Sequence, residues 1–335
     1  MRIVAHRWKF FGLLVTVAAL PAIPGDTTPQ GESPRVAYVR QGTLYVTTAS
    51  GKVLKTVKPQ VGIQDFAISP DASRVVFSVT GKRRYGGPIY MLNVSTGHLA
   101  QLTAGLRYAT QLASGEQEVY DEPDFSPEGD RIVFDVHYEN QGDANDVVMA
   151  SGPLAVMDLK TRHARILQAT KNVDGHGPAF ANNPLWSPNG ERILVDFEVG
   201  AALVSSDGAH LIDLSDQLAQ GRDNVEPGAF GWFGSGCVIY FLNEENRGGP
   251  SAPHQEVRIL HLKTKSTEPA STLLGVPIEM LTKADGVEVS GDLALVRSKS
   301  ESLVFDVLSR KIIQRLPTSN ARLVGGGRVE PGRCD

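Results

Sequence analysis

The residues of this sequence best able to do chemistry are carboxylates set at alternate positions. Asp135 and His137 share one side of an extended segment, and Asp196 and Glu198 repeat that spacing in a later unit. Together with Asp124 they are candidate channel acids. Three readings fit such a set. An oxygen-rich cluster can hold a hard cation such as Ca²⁺. Two carboxyls about 5 to 10 Å apart can act as acid and base in a hydrolase or lyase. Acids of this type also cap strand ends and solvate loops, with no chemistry at all. Catalytic signatures of other kinds are absent. The chain has no Gly-x-Ser-x-Gly, no His-Glu-x-x-His and no Cys-x-x-Cys. Gly234-Ser-Gly-Cys237 reads as a turn, and Gly325 to Gly327 do not precede a helix. Asn93-Val-Ser95 fits a glycosylation acceptor but falls at a turn. No catalytic residue, resident metal or cofactor is therefore expected, with Ca²⁺ left open as a ligand. The two cysteines, Cys237 and Cys334, either pair or remain a buried thiol and a frayed end.

The elements that must position these residues come from an internal repeat. Asp65-Phe-Ala-Ile-Ser-Pro-Asp-Ala-Ser-Arg-Val-Val-Phe returns as Pro123-Asp-Phe-Ser-Pro-Glu-Gly-Asp-Arg-Ile-Val-Phe and as Pro184-Leu-Trp-Ser-Pro-Asn-Gly-Glu-Arg-Ile-Leu-Val. Degenerate copies begin at Ala229 and Val287. In each, proline presets a turn, glycine or its substitute takes the left-handed position, and a β-branched run follows as the second strand of a hairpin. Two further strand-like runs around a short polar turn complete the unit. Ile89 to Val94 with His98 to Leu102, and Leu154 to Leu159 with His163 to Leu167, are examples. Four strands per unit, at a spacing of roughly 45 to 60 residues, is the signature of a propeller blade.

At the start of the repeat region, Val36 to Val39, Leu44 to Thr47 and Val53 to Val57 read as strands two to four of a blade lacking its first. Ala321 to Val329 supplies the missing inner strand. The reading is an all-β, six-bladed propeller of four-stranded antiparallel blades, closed by N- and C-terminal strands in one blade, which removes exposed edges. Seven blades is the rival count. The Phe-Ser-Pro-x-Gly-x-Arg-Ile-x-Phe pattern resembles the repeat of the TolB-like six-bladed propeller family, and similar repeats build the propellers of prolyl oligopeptidase-type peptidases. The resemblance is good over roughly residues 65 to 200 and tolerable to about 316. It implies the fold. The separate N-terminal domain of TolB has no counterpart before the first unit, so TolB itself is not implied.

Up-and-down blades sort their connections by face. Turns between strands one and two, and three and four, are all tight here, whereas Thr103 to Asp121, His137 to Gly152, Lys171 to Asn182 and Asn243 to Gln255 are long and belong to the opposite face. Long loops on a rigid scaffold carry binding residues. The candidate ligand-binding set is Arg107, Tyr108, Tyr120, Asp121, Glu122, Tyr138, Glu139, His176, Arg247 and His254. Its tyrosines are contact aromatics or loop anchors. Trp186 and Trp232 occupy equivalent positions and are read as core.

The 335 residues carry a net charge of -4 and 34 glycines. That balance gives no broad attraction to nucleic acid or anionic lipid. Basic residues near Arg2, the apolar run Phe10 to Leu20 and small residues near Ala22 form a signal-peptide pattern. The expected organisation is a signal peptide over 1–25, a flexible linker over 26–34 and one propeller domain over 35–335. The expected protein is periplasmic or secreted, spans no membrane after cleavage, is monomeric, and binds an envelope protein or peptide.

Overall fold

A computed structural model describes residues 36–79, 86–108, 117–140, 148–170, 182–197, 200–222, 225–244, 255–324 and 334. The expected signal and linker segments lie outside these residues. The described residues of the compact unit Ser33–Asp335 form six four-stranded antiparallel sheets.

The first blade is β4 (Phe66–Ile68), β5 (Arg74–Ser78), β6 (Ile89–Asn93) and β7 (Leu99–Gln101). The second is β8 (Gln117–Phe125), β9 (Arg131–Asn140), β10 (Val148–Asp158) and β11 (Ala164–Ile166). The third holds β12 (Asn182–Trp186), β13 (Arg192–Phe197), β14 (Gly200–Ser205) and β15 (Leu211–Asp213). The fourth holds β16 (Val225–Trp232), β17 (Cys237–Glu244), β18 (Gln255–His261) and β19 (Thr267–Pro269). The fifth holds β20 (Gly286–Ser290), β21 (Leu293–Arg297), β22 (Ser302–Asp306) and β23 (Lys311–Leu316). In the sixth, β24 (Ala321–Leu323) pairs antiparallel with β1 (Val36–Arg40), and β2 (Thr43–Thr47) and β3 (Val53–Val57) follow. The expected closure by both ends of the repeat region is thus present.

The Ser-Pro repeat now has a physical account. In the first three units the serine carbonyl accepts the N–H three residues on, at Ala72, Gly129 and Gly190. Those residues have φ of 56°, 70° and 73°. The same serine's hydroxyl accepts the N–H of the conserved-type arginine of the turn: Arg74, Arg131 and Arg192, at 2.9 to 3.1 Å. This is a type I turn closed by a left-handed residue, a common hairpin connection. The arginine then reaches out of its own blade. Arg74 lies 5.7 Å from the ring centre of Phe125 in the next blade, and Arg131 lies 4.9 Å from that of Trp186 in the one after.

The apolar interior is divided into six clusters, each formed between adjacent blades. Phe66, Phe77 and Leu44 fill the one between the sixth and first blades, for example, and Trp186, Ile193 and Val133 the one between the second and third. Trp186 and Trp232 are both buried, as expected.

Two features differ from the expectation. The hairpins of the second blade are longer, so parts of Thr103 to Asp121 and His137 to Gly152, read as loops, are strand. Short helices α1 (Ser215–Ala219), α2 (Ala270–Leu274) and α3 (Ile278–Leu281) occupy inter-blade links. Single helical turns are too short to leave a periodic signal, and here they are held by burying Leu218, Leu274 and Leu281.

Candidate functional site: an acidic central channel

Each inner strand presents one residue forward, toward the next blade, just before the residue that packs backward into the core. In ring order from the first blade these are Ala67, Asp124, Leu185, Gly231, Glu288 and Arg322, and all line a central cavity of about 110 Å³. The inner edge of a propeller strand has no partner strand, so its N–H and C=O groups need other partners. The forward residues supply them. Asp124 accepts the Trp186 N–H at 2.8 Å, Glu288 accepts the Leu323 N–H at 2.9 Å, and the Arg322 guanidinium donates to the Phe66 carbonyl at 3.2 Å. Nearby acids do likewise: Glu122 accepts the Asn183 N–H and Asp196 the Ala229 N–H. Arg322 also pairs with Glu288 at 3.3 Å and approaches Asp65 at 3.9 Å, and Arg297 meets Glu288 at 3.4 Å.

Pro70, Pro127 and Pro188 of the tight turns line the first cavity at one end of the channel. A second cavity of about 350 Å³ shares Asn183, Leu185, Glu288 and Arg322 with the first. It opens where inner strands begin, which is the face of the inter-blade links. Among the described residues, six acids line the two cavities (Asp65, Glu122, Asp124, Asp196, Asp285 and Glu288) against two cations, Arg297 and Arg322.

Crowding changes how these acids hold protons. Burial pushes the Asp124 carboxyl up to about 7. Burial does the same to Asp121, again to about 7, despite bonds from Ser78, Gln64 and its own neighbour's N–H. Glu122 and Glu288 are raised by burial too, Arg322 opposing it in both. Asp135 stands directly across β8–β9 from Asp121 and is almost fully buried at 1% exposure. Neither of its carboxyl oxygens meets an N–H or O–H donor among the described residues. Burial, then the facing Glu122 carboxyl, hold it well above the ordinary range. His137 lies 3.8 Å away, and burial lowers its pKa.

Glu122 and Asp124 line the first cavity and Asp196 the second, whereas Asp121 and Asp135 face each other across β8–β9 and Asp135, expected in the channel, is buried within the blade instead. Arg107 is exposed. Tyr108 and Tyr120 pack edge to face, with Tyr120 buried against Phe134 and donating to the Leu106 carbonyl at 3.0 Å, so these two anchor the link. The Tyr138 and Glu139 side chains, and all of Glu198, His176, Arg247 and His254, lie outside the described residues. The sequence reading passed over Asp65, Asp285, Glu288, Arg297 and Arg322. A signal for two of them existed: aligned on the turn serine, Val-Glu288-Val-Ser290 falls in register with Pro-Asp124-Phe-Ser126, and Ala-Arg322-Leu with both.

Comparison with solved structures bears on the fold. TolB from Acinetobacter baumannii superposes with a TM-score of 0.52 at 15% identity, over 88% of this chain and 66% of that one. The fold is that of a TolB-like six-bladed propeller. A chain of the nidogen–laminin complex gives a TM-score of 0.53 at 10% identity, covering 86% of this chain and 96% of its own. At such identities the likeness of the TolB-like propeller to both is one of fold. This chain spans just under two thirds of the TolB structure. No protein-family model matches it, and neither does any curated protein.

Proposed function

We propose that the chain is an exported, non-enzymatic binding scaffold of the cell envelope, which receives a protein or peptide at the link face, with a basic side chain entering the channel. The observation that carries this reading is the acidic lining: among the described residues six acids and two arginines line the two cavities, the second of which opens at the link face. A cation entering there favours the ionised form of these carboxyls. The channel acids already hold blade to blade through backbone N–H groups, which leaves them suited to fixed electrostatics more than to proton transfer. One of the solved structures described above comes from a two-protein complex. No helix among the described residues is long and apolar enough to cross a membrane.

The test is capture of partners from an envelope extract by immobilised wild type and by an Asp65→Lys/Asp285→Lys variant, with matched thermal unfolding as the folding control. Partners held by wild type and lost by the variant are expected. Equal recovery from both removes the reading.

One observation favours a second reading, catalysis in the channel. Asp121 and Asp124 titrate near neutrality, and burial, then the Glu122 carboxyl, hold Asp135 well above the ordinary range. A hydrolase or lyase acting on a saccharide or peptide needs acids of that kind. Turnover of such a substrate by wild type, abolished in Asp124→Asn, would favour it over the scaffold.

A further inference from the structure

The glycines of Gly234-Ser-Gly-Cys237 admit a distant segment. Gly234 has φ 66°, and a side chain there would lie 3.1 Å from the Cys334 carbonyl oxygen. Gly236 donates its N–H to that oxygen at 2.7 Å. Cys334 is thereby brought beside Cys237, and the two form a disulfide with Cα atoms 5.5 Å apart. A third group faces the sulfurs. His261 Nδ1 lies 3.2 Å from the Cys237 Sγ and 4.0 Å from the Cys334 Sγ. Its Nε2 is held by Glu268 Oε1 at 2.7 Å.

Glu268 accepts, so Nε2 carries the hydrogen and Nδ1 presents a lone pair to the sulfurs. A disulfide has no proton to offer that lone pair. A carboxylate fixing the far nitrogen of an imidazole whose near nitrogen faces two cysteines is the outer-shell arrangement of a metal ligand. The spacing fits as well. Bonds of about 2.3 Å to sulfur and 2.0 to 2.1 Å to nitrogen put tetrahedral ligands about 3.6 Å apart for S to N and about 3.8 Å for S to S. The S to N distances already bracket that value, and the three ligand atoms lie within 4.8 Å of one another. The S–S bond alone must open.

We propose that Cys237, His261 and Cys334 form a thiol-gated site for Zn²⁺, closed while the disulfide stands. A dithiol reductant gives two electrons and two protons to the S–S bond and is itself oxidised to a disulfide. Zn²⁺ then binds both sulfurs and Nδ1 and releases the two thiol protons to solvent. Solvent fills the fourth position, entering past His261 and Glu268, whose side chains are 26% and 33% exposed. The cysteines themselves are buried.

The experiment uses the whole chain, oxidised and after reduction by a dithiol, titrated with Zn²⁺ against a chromophoric chelator and with Co²⁺ as spectroscopic stand-in. One equivalent bound by the reduced protein alone, with thiolate-to-cobalt charge-transfer absorption, is expected. His261→Gln, which keeps the disulfide and the fold, should lose at least tenfold in affinity, and Glu268→Gln about 10- to 100-fold. Equal binding by the oxidised protein, by Cys237→Ser/Cys334→Ser or by His261→Gln overturns the site. Unfolding on reduction overturns it too.

Discussion

Asp124 accepts a neighbouring blade's N–H and still titrates near 7, which makes stability depend on pH in an unusual direction. In the unfolded chain Asp121 and Asp124 lose their protons near pH 4. In the folded chain they keep them to about 7. Between those limits the native state holds more protons, so stability falls as pH rises through the window. Below it, Asp71 acts the other way: bonds from Ser69 and Ser73 outweigh its partial burial and lower its carboxyl, so that contribution is lost as pH falls. The midpoint of thermal unfolding is expected to be higher at pH 5 than at pH 8. Asp124→Asn keeps an acceptor for Trp186 and should flatten that slope; a pH curve superimposable on the parent's would contradict the assignment. Arg322 gives a second measurement at this scale. Removing it leaves Glu288, only 15% exposed, with Arg297 alone. Arg322→Ala should cost about 2 to 3 kcal/mol in denaturant unfolding, somewhat under the figure for a fully buried pair. Glu288→Gln in that background should recover part of the loss. A double-mutant cycle with no coupling would show that the pair does not hold the ring.

At the scale of elements, the turn that made the fold readable is also where one unit strains. Ala72 occupies the left-handed position that Gly129 and Gly190 fill in the next two units. A β-carbon there costs about 1 to 2 kcal/mol, partly offset at Ala72 by burying its methyl against the blade interface. Ala72→Gly should therefore be neutral or stabilising by up to about 1 kcal/mol. Gly129→Ala should cost at least about 1 kcal/mol, because its new carbon would also lie 3.1 Å from the Arg74 guanidinium. Unfolding curves that rank the two variants the other way would refute this account of the turn. Such turns were legible because each depends on a few neighbouring residues: the serine, the left-handed residue and the arginine make the bonds described above, and proline presets φ. The extension of β8 to β10 was not legible. Gln117 to Tyr120 and Tyr138 to Asn140 are too polar to read as strand, and it is pairing across the sheet that makes them so. The bulge that turns Glu122 into the channel was hidden for the same reason, because its φ of 49° is set by register against β9.

For the whole molecule, the blade count and the closing strand were readable, since a period and a missing strand are properties of order along the chain. The site was readable only in part. Asp124, Asp135 and Asp196 drew attention as acids at strand ends, but Asp65, Glu288 and Arg322 converge on them from other blades, and convergence is a property of the closed ring. Packing follows the same logic. Among the described residues each apolar cluster belongs to two neighbouring blades.

The pairing of β24 with β1 has a consequence for how the chain is made. The inner edge of β1, at Val36 to Tyr38, waits for a partner at Ala321 to Leu323. Every residue from Val36 to Leu323 must emerge from the ribosome before that edge is covered. Until then the growing arc carries an open strand that can recruit the wrong neighbour, and the protein depends on speed or on an escort through that interval.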